Sequence, residues 1–390
     1  QIQARNTGAS AVIRLPALRV LTASWPGLRE PSRARFIRDL HLDLAADFDT
    51  EVVAPRIHDE DPLEQIDGPL KVRRFRYRSE GRSPRQGEMS LLAKVSWMQG
   101  MQGAAGRWKP LTQPSVILTH WAVPAAAVAR RNARRLRCPY VVWCHGSDVH
   151  RYGRTALGKT LLKLGLSSAD RILAASDEMA KELHDRHRLT GVQVLPVGID
   201  PEFLEAPRSA APAYPIRLLW VGERIASKGY LRVLEAVREA VQRGASLSLE
   251  VIGEGPLERL DDVQRIDVRG NQSIPEVRAA MDRSHLLLLP SDSEGTPLVI
   301  QEAIARNLPV AATPVGGIPA LYSGSDGWFA LQGDRDEEIR ESLAGLLVQL
   351  AADPQSLVSA RQQLEKQDKD RFSRRRCGDS IKAVLSEVLR

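Results

Sequence analysis

The stretch SDSEGTPLVIQEA, residues 291–303, carries two glutamates eight residues apart, Glu294 and Glu302. It directly follows HLLLLP (285–290), an apolar run with the length and composition of a buried strand. The order of residues predicts a strand, a short turn and then a helix. Glu294 falls in the turn at the tip of the strand, and Glu302 falls two turns inside the helix.

The start of this predicted helix is marked by Thr296, a favourable N-cap, and by Pro297, a favourable first helical residue. The helix is expected to run from Pro297 to about Arg306. Backbone N–H groups that have no partner at a helix N-terminus attract a phosphate group. The residues expected to offer them are Gly295, Thr296, Leu298 and Val299.

The two carboxylates would flank a diphosphate bound at this helix start. A carboxylate accepts hydrogen bonds from sugar hydroxyls, so Glu302 is predicted to hold a ribose diol and Glu294 a hydroxyl of a second sugar. The alternative is an ordinary helix with a solvated Glu302. The spacing alone does not decide, because the pairs Glu80/Glu88 and Glu250/Glu258 repeat it.

The chain alternates short apolar runs with helical periodicity, which predicts an α/β protein built on parallel sheets. One series of strands ends near residue 198, and a second begins at residue 216. The Pro-punctuated segment between them is the predicted linker. We therefore expect two doubly wound, Rossmann-like domains, residues 1–200 and 206–371, facing a cleft, with ligands at the carboxyl ends of the strands. Residues 79–89 are polar and predict a mobile loop.

The composition is that of a folded globular protein, with 390 residues, 43% of them apolar and 26% charged. The three cysteines have the spacing of neither a disulfide framework nor a zinc site, which favours a reducing compartment. No apolar run has the length of a membrane span, and the first ten residues lack a signal-peptide core. These features predict a cytoplasmic protein.

The net charge of +7 lies in the first half of the chain, where residues 1–205 hold 31 Lys+Arg against 22 Asp+Glu. The densest basic segments are KVRRFRYR (71–78) and RRNARRLR (130–137). They suggest an anionic partner, and we expect peripheral contact with the inner face of the cytoplasmic membrane. A solvated face of an Arg-rich protein explains them equally well. Aromatic and basic stacking motifs for RNA are absent, so nucleic acid is not expected.

Several motifs in order along the chain resemble the retaining glycosyltransferases of family GT4, which have the GT-B fold. The donor-site signature of that family is similar to SEGTPLVIQEAIARNLPVAATPVGGIPAL, which begins at residue 293. The other matching segments are WPGLREPSRARFIRDL (25–40), VVWCHGSD (141–148), LPVGIDPEF (195–203), WVGERIASKG (220–229) and RFSRRRCGDSIKAVL (371–385).

The resemblance implies a role for individual residues. Glu294 would contact the transferred sugar, Glu302 the ribose, Lys228 the phosphates and His145 the donor sugar. Asp148, in the same loop as His145, would touch sugar or acceptor hydroxyls. Residues 372–390 would form a helix that crosses back to the first domain.

Two departures from the family pattern bear on these roles. The family usually has Arg directly after the glycine equivalent to Gly222, but here Glu223 follows and Arg224 comes one place later. Arg224 is therefore the candidate to replace that arginine. The acceptor loop also lacks the glycine expected just before the first helix, although Gly27 lies upstream.

The resemblance implies transfer of a sugar from a nucleotide-diphosphate sugar to a glycan or lipid-linked acceptor, with retention of the anomeric configuration. The departing phosphate oxygen would deprotonate the acceptor. No metal and no cofactor other than the nucleotide sugar is expected, since basic side chains can neutralise the leaving group.

Other functions remain open on the sequence alone. The same fold also supports nucleotide-sugar epimerases, phosphorylases and hydrolases, although no pyridoxal-binding lysine context is recognisable. A catalytically degenerate partner subunit is a further alternative, and Glu223 favours it.

Overall fold

Two parallel sheets organise the protein, as its computed structural model shows. The α/β class and the two doubly wound sheets predicted from the sequence are confirmed. The predicted mobile loop at 79–89 lies outside the described residues. The structure describes residues 14–78, 90–150, 155–206, 214–256, 265–322 and 327–390.

The first sheet has eight strands in the order β3-β4-β2-β1-β5-β6-β7-β8, and only β3 runs antiparallel to its neighbour. Its inner strands are apolar and buried on both faces, as is usual for parallel sheets covered by helices. The strands are β1 (Ala17–Thr22), β2 (Asp49–Pro55), β3 (Glu64–Asp67), β4 (Leu70–Phe75), β5 (Ser115–His120), β6 (Tyr140–Cys144), β7 (Arg171–Ala174) and β8 (Val192–Val194).

Helices cover both faces of this sheet and connect its parallel strands. Helix α1 has one buried face and one exposed face, with Ile37, Leu40 and Leu44 in the core. The helices are α1 (Arg35–Leu44), α2 (Leu91–Gly106), α3 (Ala125–Leu136), α4 (Ser147–His150), α5 (Ala156–Leu166) and α6 (Asp177–His187).

The second sheet has six parallel strands in the order β11-β10-β9-β12-β13-β14. The strands are β9 (Ile216–Val221), β10 (Leu247–Ile252), β11 (Ile266–Arg269), β12 (Leu286–Leu289), β13 (Val310–Ala312) and β14 (Trp328–Ala330). The helices are α7 (Tyr230–Gln242), α8 (Ile274–Arg283), α9 (Leu298–Ala305), α10 (Ile318–Leu321), α11 (Asp336–Ala352), α12 (Gln355–Glu365) and α13 (Arg374–Val388).

The last helix, α13, packs on the first domain. Its side chains Cys377, Ile381, Val384 and Leu385 belong to the same core cluster as β1 and α1. The domain boundaries at residues 200, 206 and 371 remain predictions from the sequence.

The chain crosses between the domains at two adjacent places. At the first crossing, the Ile199 N–H donates to the carbonyl oxygen of Phe372 in the second, at 2.8 Å. Arg374 then joins both sides, because its guanidinium lies 2.8 Å from the Asp43 carboxylate and 2.9 Å from that of Asp200. A side chain at Gly198 would place its Cβ 2.4 Å from Cα of Arg374, so only glycine fits at this crossing.

Within the described ranges, no helix is long and apolar enough to cross a membrane. The same residues contain no group of three or more His, Cys, Asp or Glu side chains that could hold a metal ion.

Candidate active site

The turn after β12 places Glu294 against a lysine from the first turn of the second domain. Lys228 Nζ lies 2.8 Å from both carboxylate oxygens of Glu294. Glu294 is buried, with 7% of the residue exposed, whereas about a third of the Lys228 side chain is exposed. The two residues are 66 positions apart, and the parallel strands β9 and β12, which are neighbours in the sheet, bring them together.

Helix α9 begins one residue later than predicted, at Leu298, with Pro297 as its N-cap. The prediction of Thr296 as the N-cap is wrong, because its hydroxyl donates to the carbonyl oxygen of Ala175 in the first domain, at 2.8 Å. The backbone N–H groups that were expected to be free at the start of α9 are nevertheless free in the structure. Among the residues that the structure describes, the backbone N–H groups of Gly295, Thr296, Leu298 and Val299 have no protein acceptor.

Glu302 lies on the second turn of α9, next to the interdomain segment. Burial raises the pKa of the Glu302 carboxyl to about 8, and the nearby Asp200 carboxylate adds to the rise. Asp200 itself is paired with Arg374. Glu302 therefore holds a proton at neutral pH in this structure and can both donate and accept a hydrogen bond.

The loop after β9 approaches the neighbouring backbone closely at several glycines. A Cβ at Gly253 would lie 1.8 Å from the carbonyl oxygen of Gly222, and one at Gly229 would lie 2.0 Å from that of Pro290. Both residues also have positive φ angles, 137° and 71°. Glycine is therefore required at both positions to bring Gly222 and Lys228 to the edge of the sheet.

Arg224 does not point into the open part of this loop. Its guanidinium donates to the backbone carbonyl oxygens of Gly253 at 2.7 Å, Gly255 at 2.6 Å and Pro256 at 3.2 Å, and only 8% of the residue is exposed. These contacts hold the loops after β9 and β10 together. In this arrangement each of the three guanidinium nitrogens of Arg224 donates to a backbone carbonyl group, and its replacement of the family arginine remains a prediction. Lys228 is the basic side chain that lies beside Glu294.

His145 and Gly146 form the facing loop of the first domain. The Asp148 carboxylate holds this loop, because Oδ1 accepts the N–H groups of Gly146 at 2.9 Å and His145 at 3.2 Å. Its Oδ2 accepts the Ala122 N–H at 2.7 Å. Burial raises the pKa of Asp148, and the backbone hydrogen bonds oppose that rise. With 1% of the residue exposed, Asp148 is placed as an anchor of the loop, and a contact with sugar hydroxyls has no support in this geometry.

The two loops touch across the cleft. A Cβ at Gly295 would lie 2.5 Å from the carbonyl oxygen of His145, and a Cβ at Gly146 would lie 3.3 Å from Cα of Gly295. The Leu298 side chain packs against the core clusters of both domains. The start of α9 and the His145 loop are therefore parts of one site at the carboxyl ends of both sheets.

Gly27 lies in the loop after β1, where a side chain has no room. Its Cβ would lie 2.6 Å from the Asp61 carboxylate, which accepts the Leu28 N–H at 2.8 Å. Arg74 ties the same loop by donating to the carbonyl oxygen of Pro26 at 2.8 Å. The structure thus gives Gly27 a part in forming this loop, and its assignment to the acceptor side of the cleft remains a prediction.

A row of histidines behind this loop was not predicted from the sequence. His41 Nε2 lies 2.9 Å from His120 Nε2, and His120 Nδ1 lies 2.9 Å from His145 Nε2. The three residues come from α1, the end of β5 and the loop after β6. Residues 41, 120 and 145 have no common spacing, so no local pattern in the sequence links the three histidines.

The combined geometry suits a ligand with a negatively charged group and hydroxyls. Free N–H groups and Lys228 attract the charge, and the two glutamates lie where they can hold hydroxyls. The loops of both domains would enclose such a ligand. The arrangement would stabilise negative charge that develops at the start of α9.

Two family models match adjoining parts of the chain. The model described as Glycosyltransferase Family 4 matches residues 34–203, and the model described as Glycosyl transferases group 1 matches residues 215–349. Together they cover most of both domains.

The chain is also similar to curated and solved glycosyltransferases. It is 30% identical over 221 residues to the putative teichuronic acid biosynthesis glycosyltransferase TuaC of Bacillus subtilis, an alignment that spans 54% of this chain and 55% of that protein. It shares 23% identity over 284 residues with an uncharacterized glycosyltransferase of Methanocaldococcus jannaschii, covering 70% of this chain and 75% of that one.

The fold matches that of solved structures at low sequence identity. Anabaena HepE in complex with UDP and glucose superposes with a TM-score of 0.67 at 15% identity, covering 95% of this chain and 99% of that one. Sucrose-phosphate synthase from Thermosynechococcus elongatus gives a TM-score of 0.67 at 14% identity with the same coverage. With two family models matched along its length and this fold, the chain belongs to the family 4 (group 1) glycosyltransferases of the GT-B fold.

Proposed function

We propose that this protein is a retaining glycosyltransferase that moves a sugar from a nucleotide-diphosphate sugar to a glycan or lipid-linked acceptor in cell-surface polysaccharide or glycolipid synthesis. The observation that carries the proposal is the meeting of Lys228, Glu294 and the free N–H groups of α9 with the His145 loop of the other domain. The names of TuaC and of the HepE complex with UDP and glucose support the acceptor and donor classes.

In this proposal the Lys228–Glu294 pair occupies the place of the donor. The diphosphate takes Lys228 away from Glu294 and binds the N–H groups of residues 295–299. Glu294 is then free to accept hydroxyls of the transferred sugar, with His145 on its other side. Charge stabilisation of the leaving diphosphate lowers the barrier, and its oxygen accepts the proton of the attacking hydroxyl.

The first experiment is a thermal-shift screen against nucleoside diphosphates and their sugars. Stabilisation by one base identifies the donor class, because a ligand that binds only the folded state raises the melting temperature. Product analysis with and without acceptor follows. Transfer with retained configuration supports the proposal. Free sugar or an epimerised nucleotide sugar in the absence of acceptor points instead to a hydrolase or an epimerase, and binding without turnover points to a degenerate subunit.

Nucleotide binding is expected to release a proton from Glu302 around neutral pH. The folded protein keeps the proton up to about pH 8, whereas a free glutamate loses it near pH 4.5. A ribose diol donates two hydrogen bonds best to the ionised form, so affinity should rise with pH from about 6 to 8 and then level off. Calorimetry in buffers of different ionisation enthalpy measures the released protons. Glu302→Gln should abolish the release and weaken binding; an unchanged release would contradict this role.

The same linkage predicts the effect of Glu302 on stability. Its raised pKa favours the folded state below about pH 4.5, where both states are protonated, and this contribution declines as the pH rises through the folded pKa of about 8. Glu302→Gln should therefore flatten the fall of the melting temperature between these values.

We also propose peripheral contact with an anionic membrane through the basic surface of the first domain. Within the 71–78 segment, Arg73 pairs with Glu51 at 2.7 Å and Arg74 is 5% exposed, whereas Lys71, Arg76 and Arg78 are exposed. The 130–137 segment is the second basic part of this surface. A cavity of about 420 Å³ there is lined by, among others, Arg130, Arg134, Arg137, Tyr140 and Asp170.

Liposome flotation tests this contact. Each basic residue near an anionic surface contributes about 1 kcal/mol, so replacing three arginines should weaken binding by about 100-fold or more. The wild-type protein should float with anionic vesicles and should remain in the bottom fraction of the gradient with neutral vesicles. The test variant is Arg130→Gln/Arg134→Gln/Arg137→Gln, and the control of equal charge in the second domain is Arg243→Gln/Arg335→Gln/Lys366→Gln. Equal flotation of both variants would contradict the proposal that residues 130–137 contact the membrane.

A further inference from the structure

Helix α5 presents a row of leucines to solvent. Leu157 is 52% exposed and Leu164 is 45% exposed, and the half-buried Leu161 lies between them. Positions i, i+4 and i+7 fall on one side of a helix, so the three side chains form a continuous stripe along α5. Single exposed leucines are common in folded proteins. A stripe of them on one helix instead marks a surface that something apolar covers.

The rest of the exposed side of α5 is basic. Lys159 and Lys163 form a second row, and Thr160 lies between this row and the leucines. All three of these side chains are exposed, and α5 contains no acidic residue. A stripe of leucines beside a row of lysines is the pattern of a helix that lies flat in the interface of a membrane. The leucines enter the headgroup region there, and the lysines face anionic lipids.

The leucine stripe adjoins the arginine surface of α3. The two helices pack closely, because a Cβ at Gly165 would lie 2.5 Å from that of Ala126. Ser168, just after α5, lines the same cavity as Arg130 and Arg134. Arg130 Nε is buried and has no hydrogen-bond partner among the residues that the structure describes. The leucines of α5 and the arginines of α3 therefore belong to one surface of the first domain.

The composition of this surface favours lipid over a protein partner. The centres of protein interfaces are enriched in aromatic side chains and methionine and depleted of lysine. The exposed side of α5 consists of leucine, lysine, threonine and alanine, without an aromatic side chain. A protein partner would have to pair or desolvate both lysines. At a membrane their ammonium groups stay in the headgroup layer, while their apolar stems cover the leucines.

We infer that α5 is an interfacial helix whose leucine stripe inserts into the headgroup layer of an anionic membrane. The inference rests on the proposed membrane contact of the first domain and adds the apolar part of that contact. Helix α5 follows β6, so it begins at the edge of the sheet that carries His145 and runs from there towards the arginine cavity. A membrane along α5 therefore reaches the edge of the cleft, which favours a lipid-linked acceptor over a free glycan.

Flotation with a pair of leucine variants tests the insertion. Leu157→Gln/Leu164→Gln removes the stripe and keeps a good helix former at both positions. It should weaken binding to anionic vesicles about 10- to 100-fold, because about half of each leucine remains to be buried. The matched control is Leu231→Gln/Val241→Gln on α7 of the second domain, where the two residues are 44% and 37% exposed. The control should bind vesicles as the wild type does.

Tryptophan fluorescence tests directly whether the helix enters lipid. Leu164→Trp should show blue-shifted emission with anionic vesicles and quenching by acyl chains brominated near the headgroup. Both changes are measured as differences from the wild type, because the chain has seven other tryptophans. Leu231→Trp should show neither change. If the double glutamine variant has a lowered melting temperature, Leu164→Trp decides the question, and unchanged emission with vesicles would overturn the inference.

The outcomes separate this inference from the proposals made above. If the wild type floats with anionic vesicles and Leu157→Gln/Leu164→Gln floats equally well, only the insertion of α5 is overturned. If the wild type remains in the bottom fraction with anionic vesicles, the membrane contact is overturned as well, whereas sugar transfer to a soluble acceptor would still support the proposed reaction. Dimerisation that the leucine variant abolishes, without vesicle binding, would assign the stripe to a second copy of the chain and overturn the inference.

Discussion

Glu294→Gln is expected to lower kcat by about 10²- to 10³-fold while nucleoside-diphosphate affinity is kept or increased. The carboxylate lies 2.8 Å from Lys228 through each of its oxygens, so the two charges hold each other before the donor arrives. The glutamine side chain has nearly the same size as glutamate, but its neutral amide no longer competes with the phosphates for Lys228. It also lacks the negative charge that stabilises an oxocarbenium-like sugar. Initial rates and calorimetric titration with the nucleoside diphosphate measure the two effects separately.

An ion pair between a glutamate and an arginine elsewhere in the same domain serves as the control. Glu250 is bonded to Arg283 at 3.0 Å, on the strand β10 and away from the start of α9. Glu250→Gln should leave both kcat and nucleotide affinity unchanged. If Glu294→Gln instead weakened nucleotide binding and left kcat intact, Glu294 would be a binding residue and the role assigned to it here would be wrong.

Lys228→Met should reduce kcat/KM by about 10²- to 10³-fold, because it removes the point charge facing the leaving group. The loss of ligand affinity should depend on the phosphates. The affinity for the nucleoside diphosphate should fall strongly, whereas the affinity for the nucleoside without phosphates should change little. The substitution also leaves the buried Glu294 carboxylate without its partner, which should cost about 1–3 kcal/mol of unfolding free energy. Titrations with both ligands and a denaturant curve test these expectations.

An exposed lysine of the first domain is the matched control. Lys181 pairs with Asp185 at 2.6 Å on the surface of α6. Since exposed ion pairs contribute little, Lys181→Met should change neither stability nor turnover by a measurable amount. An equal loss of affinity for nucleoside and nucleoside diphosphate in Lys228→Met would exclude a phosphate contact.

Much of the fold was predictable because parallel strands buried on both faces appear in the sequence as continuous apolar runs. Strand β12 follows this pattern and lies where it was predicted. Strand β4 does not. Its sequence LKVRRF looked like a basic patch, and its charges are matched by residues distant in the sequence, such as Glu51 for Arg73. That compensation depends on strand pairing and leaves no local signal.

The same distinction applies to the site. The turn, the helix start and the positions of Glu294 and Glu302 are local features, and residues 291–303 were sufficient to predict them apart from the cap. The Thr296 hydroxyl was misassigned because its acceptor belongs to the other domain. The Lys228–Glu294 pair and the histidine row could not be predicted, since the packing of elements distant in the sequence brings their members together.

The adjoining chain crossings at residues 198–200 and 372–374 have a mechanical consequence. The two chain segments lie side by side and form a single hinge between the domains. The domains can therefore rotate apart about this line, whereas sliding of one domain along the other is restricted. A nucleotide sugar would then enter and leave by a single rotation that separates Gly146 from Gly295 and returns them to the same register on closing.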